Sequence, residues 1–242
     1  PPMPGQPPMP GQPPMPGQPP MPGKPPHAGH PPKPNEDFLL GTEGSDSLNG
    51  SANDDRIAGL VGDDLINGSA GNDYIFGNQG SDRLFGDDGQ DFILGGRDND
   101  TVNGGAGDDA MLSGNVGDDE VRGGAGNDKI FGGQGNDTLY GDEGDDYLSG
   151  NLGSDTLIGG AGADKYALNG EASDTLFYTD NEDKLILPMG VMFDRLQFVE
   201  GSKGGQVETQ IVDKMNGKPM AVLIGVQASA LEAGDFLPQQ QS

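Results

Sequence analysis

The 242-residue chain has no cysteine and no tryptophan, 13 basic residues against 39 acidic ones, and only 32% hydrophobic residues. Without cysteine there is no disulfide framework and no thiolate to hold a soft metal. No apolar run approaches the ~20 residues needed to span a bilayer, and no N-terminal secretory h-region is visible. The chain opens at Pro1 rather than methionine, which reads as a processed or truncated product. A net charge of −26 repels nucleic acid and anionic membrane and favours cations. Low hydrophobicity with high charge ordinarily marks a chain that buries too little surface to offset its ordering entropy. Either the chain is disordered, or something outside the sequence completes its fold.

What is present falls into three segments. Residues 1–36 repeat a hexapeptide, PPMPGQ three times and then PPMPGK, PPHAGH and PPKPNE. Glycine at every sixth place excludes a collagen helix, and the proline content favours a disordered, polyproline-II-like spacer. Its His27 and His30, the only histidines, read as solvated linker. A spacer implies something to be spaced from: an upstream domain or a cell-surface attachment. Residues 37–167 hold a glycine-rich array, and residues 168–242 lose the repeat and gain strand signals such as "DKLILP" and "MAVLIGV". There, Asn216-Gly217 suits a tight hairpin turn.

The array contains fourteen units starting at Gly41, all nine residues long except Gly104–Ser113, which has ten. Place one is always glycine, place six always aspartate, and place eight is Leu, Ile, Val or Met until Tyr166 in the last unit. A fixed short period is the signature of a solenoid whose units bury their apolar side chains against one another. The Gly-, Asn- and Asp-rich stretch favours turns. The three residues after it alternate with the middle one apolar, as in a very short strand. Two units therefore close one coil of eighteen residues. The expected fold is all-β: a parallel β-roll of about seven coils, with the C-terminal β segment capping the last. The extra residue in "GGAGDDAMLS" points either Met111 or Leu112 inward and predicts a local bulge.

Alternate units stack on the same side of such a roll. One side carries Asp46, Asp64, Asp82, Asp100, Asp119, Asp137 and Asp155; the other carries Asp55, Asp73, Asp91, Asp109, Asp128, Asp146 and Asp164. Carboxylates stacked at strand spacing repel, so the fold needs counter-charge. Oxygen-only ligands in a pliant backbone cradle suit Ca²⁺ better than Mg²⁺ or Zn²⁺. Six gaps per side make about twelve ions, whose charge offsets the array's 26 acids and six bases.

The unit resembles the RTX (repeats-in-toxin) nonapeptide G-G-x-G-x-D-x-U-x, a Ca²⁺-binding parallel β-roll signature. That resemblance implies Ca²⁺ held between turns, with the fourteen aspartates as ligands. It also implies a secreted, extracellular protein exported by a type I ABC-transporter system. The units departing from the motif (Thr42, Ser51, Leu60 and Ser69 at place two, Asn53 and Asp98 at place four) predict weaker sites there. Neither H-E-x-x-H nor G-x-S-x-G occurs, so the chain carries no recognisable hydrolase motif. The alternative is that it forms the calcium-binding tail of a larger secreted enzyme, a protease or lipase, whose catalytic domain lies upstream. A surface adhesin of the ice-binding kind is disfavoured, because place three holds no threonine in the early units.

Overall fold

The computed structural model describes residues 38–169, 173–178 and 182–239. The expected proline-rich spacer, with His27 and His30, lies outside the described residues. Within them the chain winds into a parallel β-solenoid with two facing sheets. Each unit contributes one strand of about six residues, starting at place seven and running through place three of the next unit, for example Tyr74–Gln79 and Arg83–Asp88. Successive units alternate between sheets, so each strand pairs with the one two units away: Ile57 faces Ile75, and Leu84 faces Val102.

One side chain per unit builds the core. Ile57, Ile66, Ile75, Leu84, Ile93, Val102, Leu112, Val121, Ile130, Leu139, Leu148 and Leu157 are all essentially inaccessible. Each contributes roughly 1.5–3 kcal/mol by burial. Tyr166 takes the last array position; its hydroxyl accepts the Gly159 N–H at 2.9 Å and donates to the Phe177 carbonyl at 2.9 Å. The larger ring thus spans the interior with its polar end satisfied.

The ten-residue unit resolves in favour of Leu112. Ile93 pairs with Leu112 and Leu112 with Ile130, while Met111 stands beside Phe92 on the outer face. The surplus residue is absorbed between Asp109 and Leu112, and neighbouring strands keep their alignment.

The roll runs one coil further than the glycine pattern suggests, to about eight turns. Asp174–Phe177 continues one sheet beside Thr156–Ala161, and Lys184–Leu187 continues the other beside Lys165–Ala167. Beyond them Pro219–Ile224 and Phe236–Pro238 add one more parallel strand to each sheet. The antiparallel strands Leu196–Lys203 and Gln206–Asp213 then close one edge. Gly217, at φ 69°, turns the hairpin that Asn216-Gly217 predicts. The cap buries Leu196, Ile211, Met220, Leu223 and Phe236, and Arg195 grips Asp213 through two hydrogen bonds of 2.9 and 2.6 Å.

Truncating the core column is expected to cost more than truncating Met111, which is also buried but against the outer face rather than in the interior column. Leu112→Ala should destabilise the folded protein by about 2–5 kcal/mol, and Met111→Ala by less, because Met111 lies outside the interior column. Urea unfolding of both variants measures the difference; a loss at Met111 as large as at Leu112 would contradict this ranking.

Candidate metal centre

The place-six aspartates sit in the turns at the ends of the strands, and they do two things at once. One carboxylate oxygen, Oδ1, accepts the backbone N–H of the aspartate one coil earlier. Asp46 N–H donates to Asp64, Asp64 to Asp82, Asp82 to Asp100, and so on through both rows at 2.7–2.9 Å. The other oxygen, Oδ2, is buried without a partner in Asp64, Asp73, Asp82, Asp91, Asp100, Asp109, Asp119, Asp128, Asp137, Asp146, Asp155 and Asp164. A buried acceptor left bare costs about 1–3 kcal/mol, and more when charged, so a repeated orphan of this kind points to a missing positive partner.

Glycine at place one makes the room. A Cβ on Gly86 would run into Asp91 Oδ2 and into the carbonyl oxygen of Gly104, one coil on. The bare carboxylate oxygen and a main-chain carbonyl oxygen therefore converge on one point beside the backbone. Among the described residues no three His, Asp or Glu side chains gather together. A hard cation here would take its ligands from carbonyls and a few carboxylate oxygens, the donor set that suits Ca²⁺.

Two aspartates of the expected set differ. Asp46 Oδ2 receives the Thr42 N–H at 2.6 Å and the Thr42 hydroxyl at 2.9 Å; Asp55 Oδ2 receives the same pair from Ser51. In later coils place two swings to positive φ, as at Asn78 (82°) and Gly96 (130°). The side chain there no longer folds back on the carboxylate. The structure thus brings twelve of the fourteen aspartates into the bare-oxygen arrangement and leaves the first two capped by their own turns.

Sequence reasoning missed two further aspartates. Asp155 N–H donates to Asp174 Oδ1 at 3.2 Å, and Asp164 N–H to Asp183 Oδ1 at 3.1 Å, so the rows continue past the array. Asp174 Oδ2 is again buried and bare, while Asp183 lies 3.5 Å from the Tyr166 hydroxyl. The signal was "SDTL", which repeats at Ser154–Leu157 and Ser173–Leu176, but the second copy lacks the flanking glycines. A second ladder had also gone unread. Place-five Asn and Asp side chains accept from the next coil in the opposite direction, as Asp54 does from Asn72 N–H and Asn72 from Gln90 N–H.

The RTX calcium-binding nonapeptide repeat (4 copies) matches residues 35–66, 49–84, 59–93, 76–111, 113–148 and 140–172. The chain belongs to the RTX calcium-binding repeat family. Among solved structures, the AlgE6R3 subunit of the Azotobacter vinelandii mannuronan C5-epimerase is 29% identical, with a TM-score of 0.39, covering 50% of this chain and 77% of that one. The extracellular lipase LipA from Serratia marcescens is 17% identical, with a TM-score of 0.28, over 85% of this chain; the RTX chain spans 40% of the lipase. No curated protein matches significantly. No helix among the described residues is long and apolar enough to cross a membrane.

Burial pushes the RTX carboxyls up, and it outweighs the lowering by the backbone N–H bond. Asp73 and Asp82 rise to about 6, Asp91 and Asp137 to about 7, and Asp100, Asp109 and Asp174 to about 8. Neighbouring carboxylates add to the rise. An unfolded Asp titrates near 3.9, so without cations the folded state binds more protons between about pH 4 and 8, and its stability falls as pH rises through that window. In chelator, β content by circular dichroism should therefore be greater at pH 4.5 than at pH 8. With calcium present, protons and calcium neutralise the same oxygens, so the calcium concentration at half-folding should fall on acidification through this window. Constant β content across the window in chelator would contradict this account.

Proposed function

We propose that this RTX roll is a calcium-dependent structural module that works outside the cell. The observation carrying the proposal is the bare, buried Oδ2 repeated in consecutive turns. The ligands are the twelve aspartates from Asp64 to Asp164, with Asp174 added and Asp46 and Asp55 left as capped ends. That makes seven carboxylates on one side and six on the other, hence about a dozen ions of Ca²⁺. Binding and folding are one event: at about ten times the dissociation constant, each site contributes ~1.4 kcal/mol. A dozen such sites exceed the stability of a typical domain.

Extracellular calcium modules bind at about 10⁻⁴–10⁻³ M, so calcium-poor cytosol leaves the chain an expanded polyanion and the outside folds it. Export unfolded through a type I ABC transporter, followed by folding that opposes return, is the route this physics and the family suggest. Low hydrophobicity and the −26 charge support it.

A Ca²⁺ titration of the whole chain, followed by circular dichroism and calorimetry, tests the reading. Asp109→Asn should raise the calcium concentration at half-folding several-fold and remove about one ion from the stoichiometry. Asp46→Asn should change both little. A chain fully folded and protease-resistant after exhaustive chelation at pH 8 would sink the proposal.

A further inference from the structure

The two sheets are built from the same nine-residue unit, yet their outer surfaces differ. The sheet that begins at Leu39–Leu40 and ends at Phe236–Pro238 contains no acidic residue in any of its ten strands. The chain as a whole has 39 acids. The same strands carry Arg56, Arg97, Lys129, Lys165 and Lys184. The facing sheet carries Asp87, Asp88, Glu120, Asp142 and Glu143 in its strands.

The acid-free face is also aromatic. Tyr74, Phe76 and Phe92 form one half-buried cluster, with ring centroids 5.6 Å apart for Tyr74–Phe92 and 6.1 Å for Phe76–Phe92. Phe131 and Tyr147 form a second cluster at 5.7 Å. At the C-terminal end the track deepens into a depression of about 440 Å³ lined by Tyr147, Lys165, Ile186, Leu237, Pro238 and Gln239. Lys129 and Lys165 are exposed beside these rings, whereas Lys184 is paired with Asp235 at 3.6 Å.

We propose that this face binds a linear acidic polysaccharide, with sugar rings laid on the aromatic clusters and carboxylates met by Lys129 and Lys165. Charge complementarity selects the occupant's sign, since cations are concentrated here on an otherwise anionic molecule. Geometry selects its shape. The track is one strand wide, about 20 Å, and acidic turns such as Asp54, Asp63, Asp108 and Asp118 run along its rims. A broad anionic surface such as a bilayer would meet those rims; a single chain lying along the stack of strands would not. Half-buried rings offer faces and edges for contact but do not protrude far enough to act as wedges. Cations spaced this sparsely suit a polymer of intermittent carboxylates better than the dense phosphates of single-stranded nucleic acid, whose binding grooves are strongly basic.

The inference goes beyond calcium binding and requires only the folded roll. The test is calorimetric titration of the calcium-loaded chain with uronate oligosaccharides from hyaluronan and from polygalacturonate, cut too short to gel with calcium. Neutral cello-oligosaccharides and poly(dT) serve as comparisons. Saturable uronate binding is expected, weakened at least tenfold in Phe92→Ala/Tyr147→Ala and in Lys129→Glu/Lys165→Glu. It should be unchanged in Tyr140→Ala/Thr156→Ala on the opposite sheet. The lysine variant changes only exposed side chains, so it remains informative if the aromatic variant fails to fold. Circular dichroism in calcium confirms folding separately, which keeps a failure here distinct from a failure of the calcium reading. No saturable uronate binding, tighter binding of cello-oligosaccharides or poly(dT), or equal weakening by the opposite-sheet variant would overturn the proposal.

Discussion

A single unpaired oxygen per turn governs this molecule. Each place-six carboxylate spends one oxygen on the backbone of the preceding coil and keeps the other bare inside the turn. The first bond fixes the carboxylate; the second oxygen, repeated at strand spacing, makes the stack self-repelling. One buried aliphatic side chain per unit is too little to hold such a column together against chain entropy. The fold is therefore conditional on whatever neutralises those oxygens. Protons do so as pH falls, because burial raises the carboxyls at the middle of the roll to about 8. A divalent cation does so at neutral pH and brings main-chain carbonyls into the bargain.

The two ends solve the problem of a terminal turn differently. At the N-terminal end, Thr42 and Ser51 fold back and donate an amide and a hydroxyl to their own aspartates, so these carboxylates are satisfied by their own turns. At the C-terminal end the aspartate rows persist through Asp174 and Asp183 while the glycine turns have already gone, and an antiparallel apolar cap takes over. Cohesion thus passes from local hydrogen bonds, through turns with bare buried carboxylate oxygens, to a conventional buried core. The cap relies on its apolar interior and the Arg195–Asp213 pair rather than on turn carboxylates.

The roll itself was legible because its signal is periodic: place one, place six and place eight are read straight from the residues. What escaped reading was carried by context. Thr42 and Ser51 were visible as departures from glycine, but their hydroxyls' contacts with Asp46 and Asp55 depend on place two staying out of the left-handed region. Asp174 and Asp183 keep the aspartate, and two residues on the apolar Leu176 and Leu185, yet lose the glycines that mark a unit. The choice between Met111 and Leu112 needed the register of the flanking strands, because either residue restores the alternation. The place-five ladder was hidden because Asn, Asp, Ser and Gln all occur there and only the stacked geometry shows that side chain meets backbone.

The nine-residue unit divides its duties cleanly, and that division is what gives the difference between the two sheets its meaning. Place one must be small, place six must carry the carboxylate, and place eight must be apolar. Places seven and nine point outward, pack against nothing inside and are bound by no such rule. Whatever composition they show is not imposed by the roll. One sheet uses them mainly for Ser, Thr and Asn, with isolated rings and mixed charges such as Arg83, Phe85, Glu120, Arg122 and Tyr140; the other uses them for the clustered Tyr74, Phe76, Phe92, Phe131 and Tyr147 and for lysines, with no acid at all. Identical units on facing sheets act as each other's control, so the clustering of rings and the absence of acid on one face are not imposed by the fold. Half-buried rings that the interior does not require, aligned along one face, are a mark of a surface that meets something else.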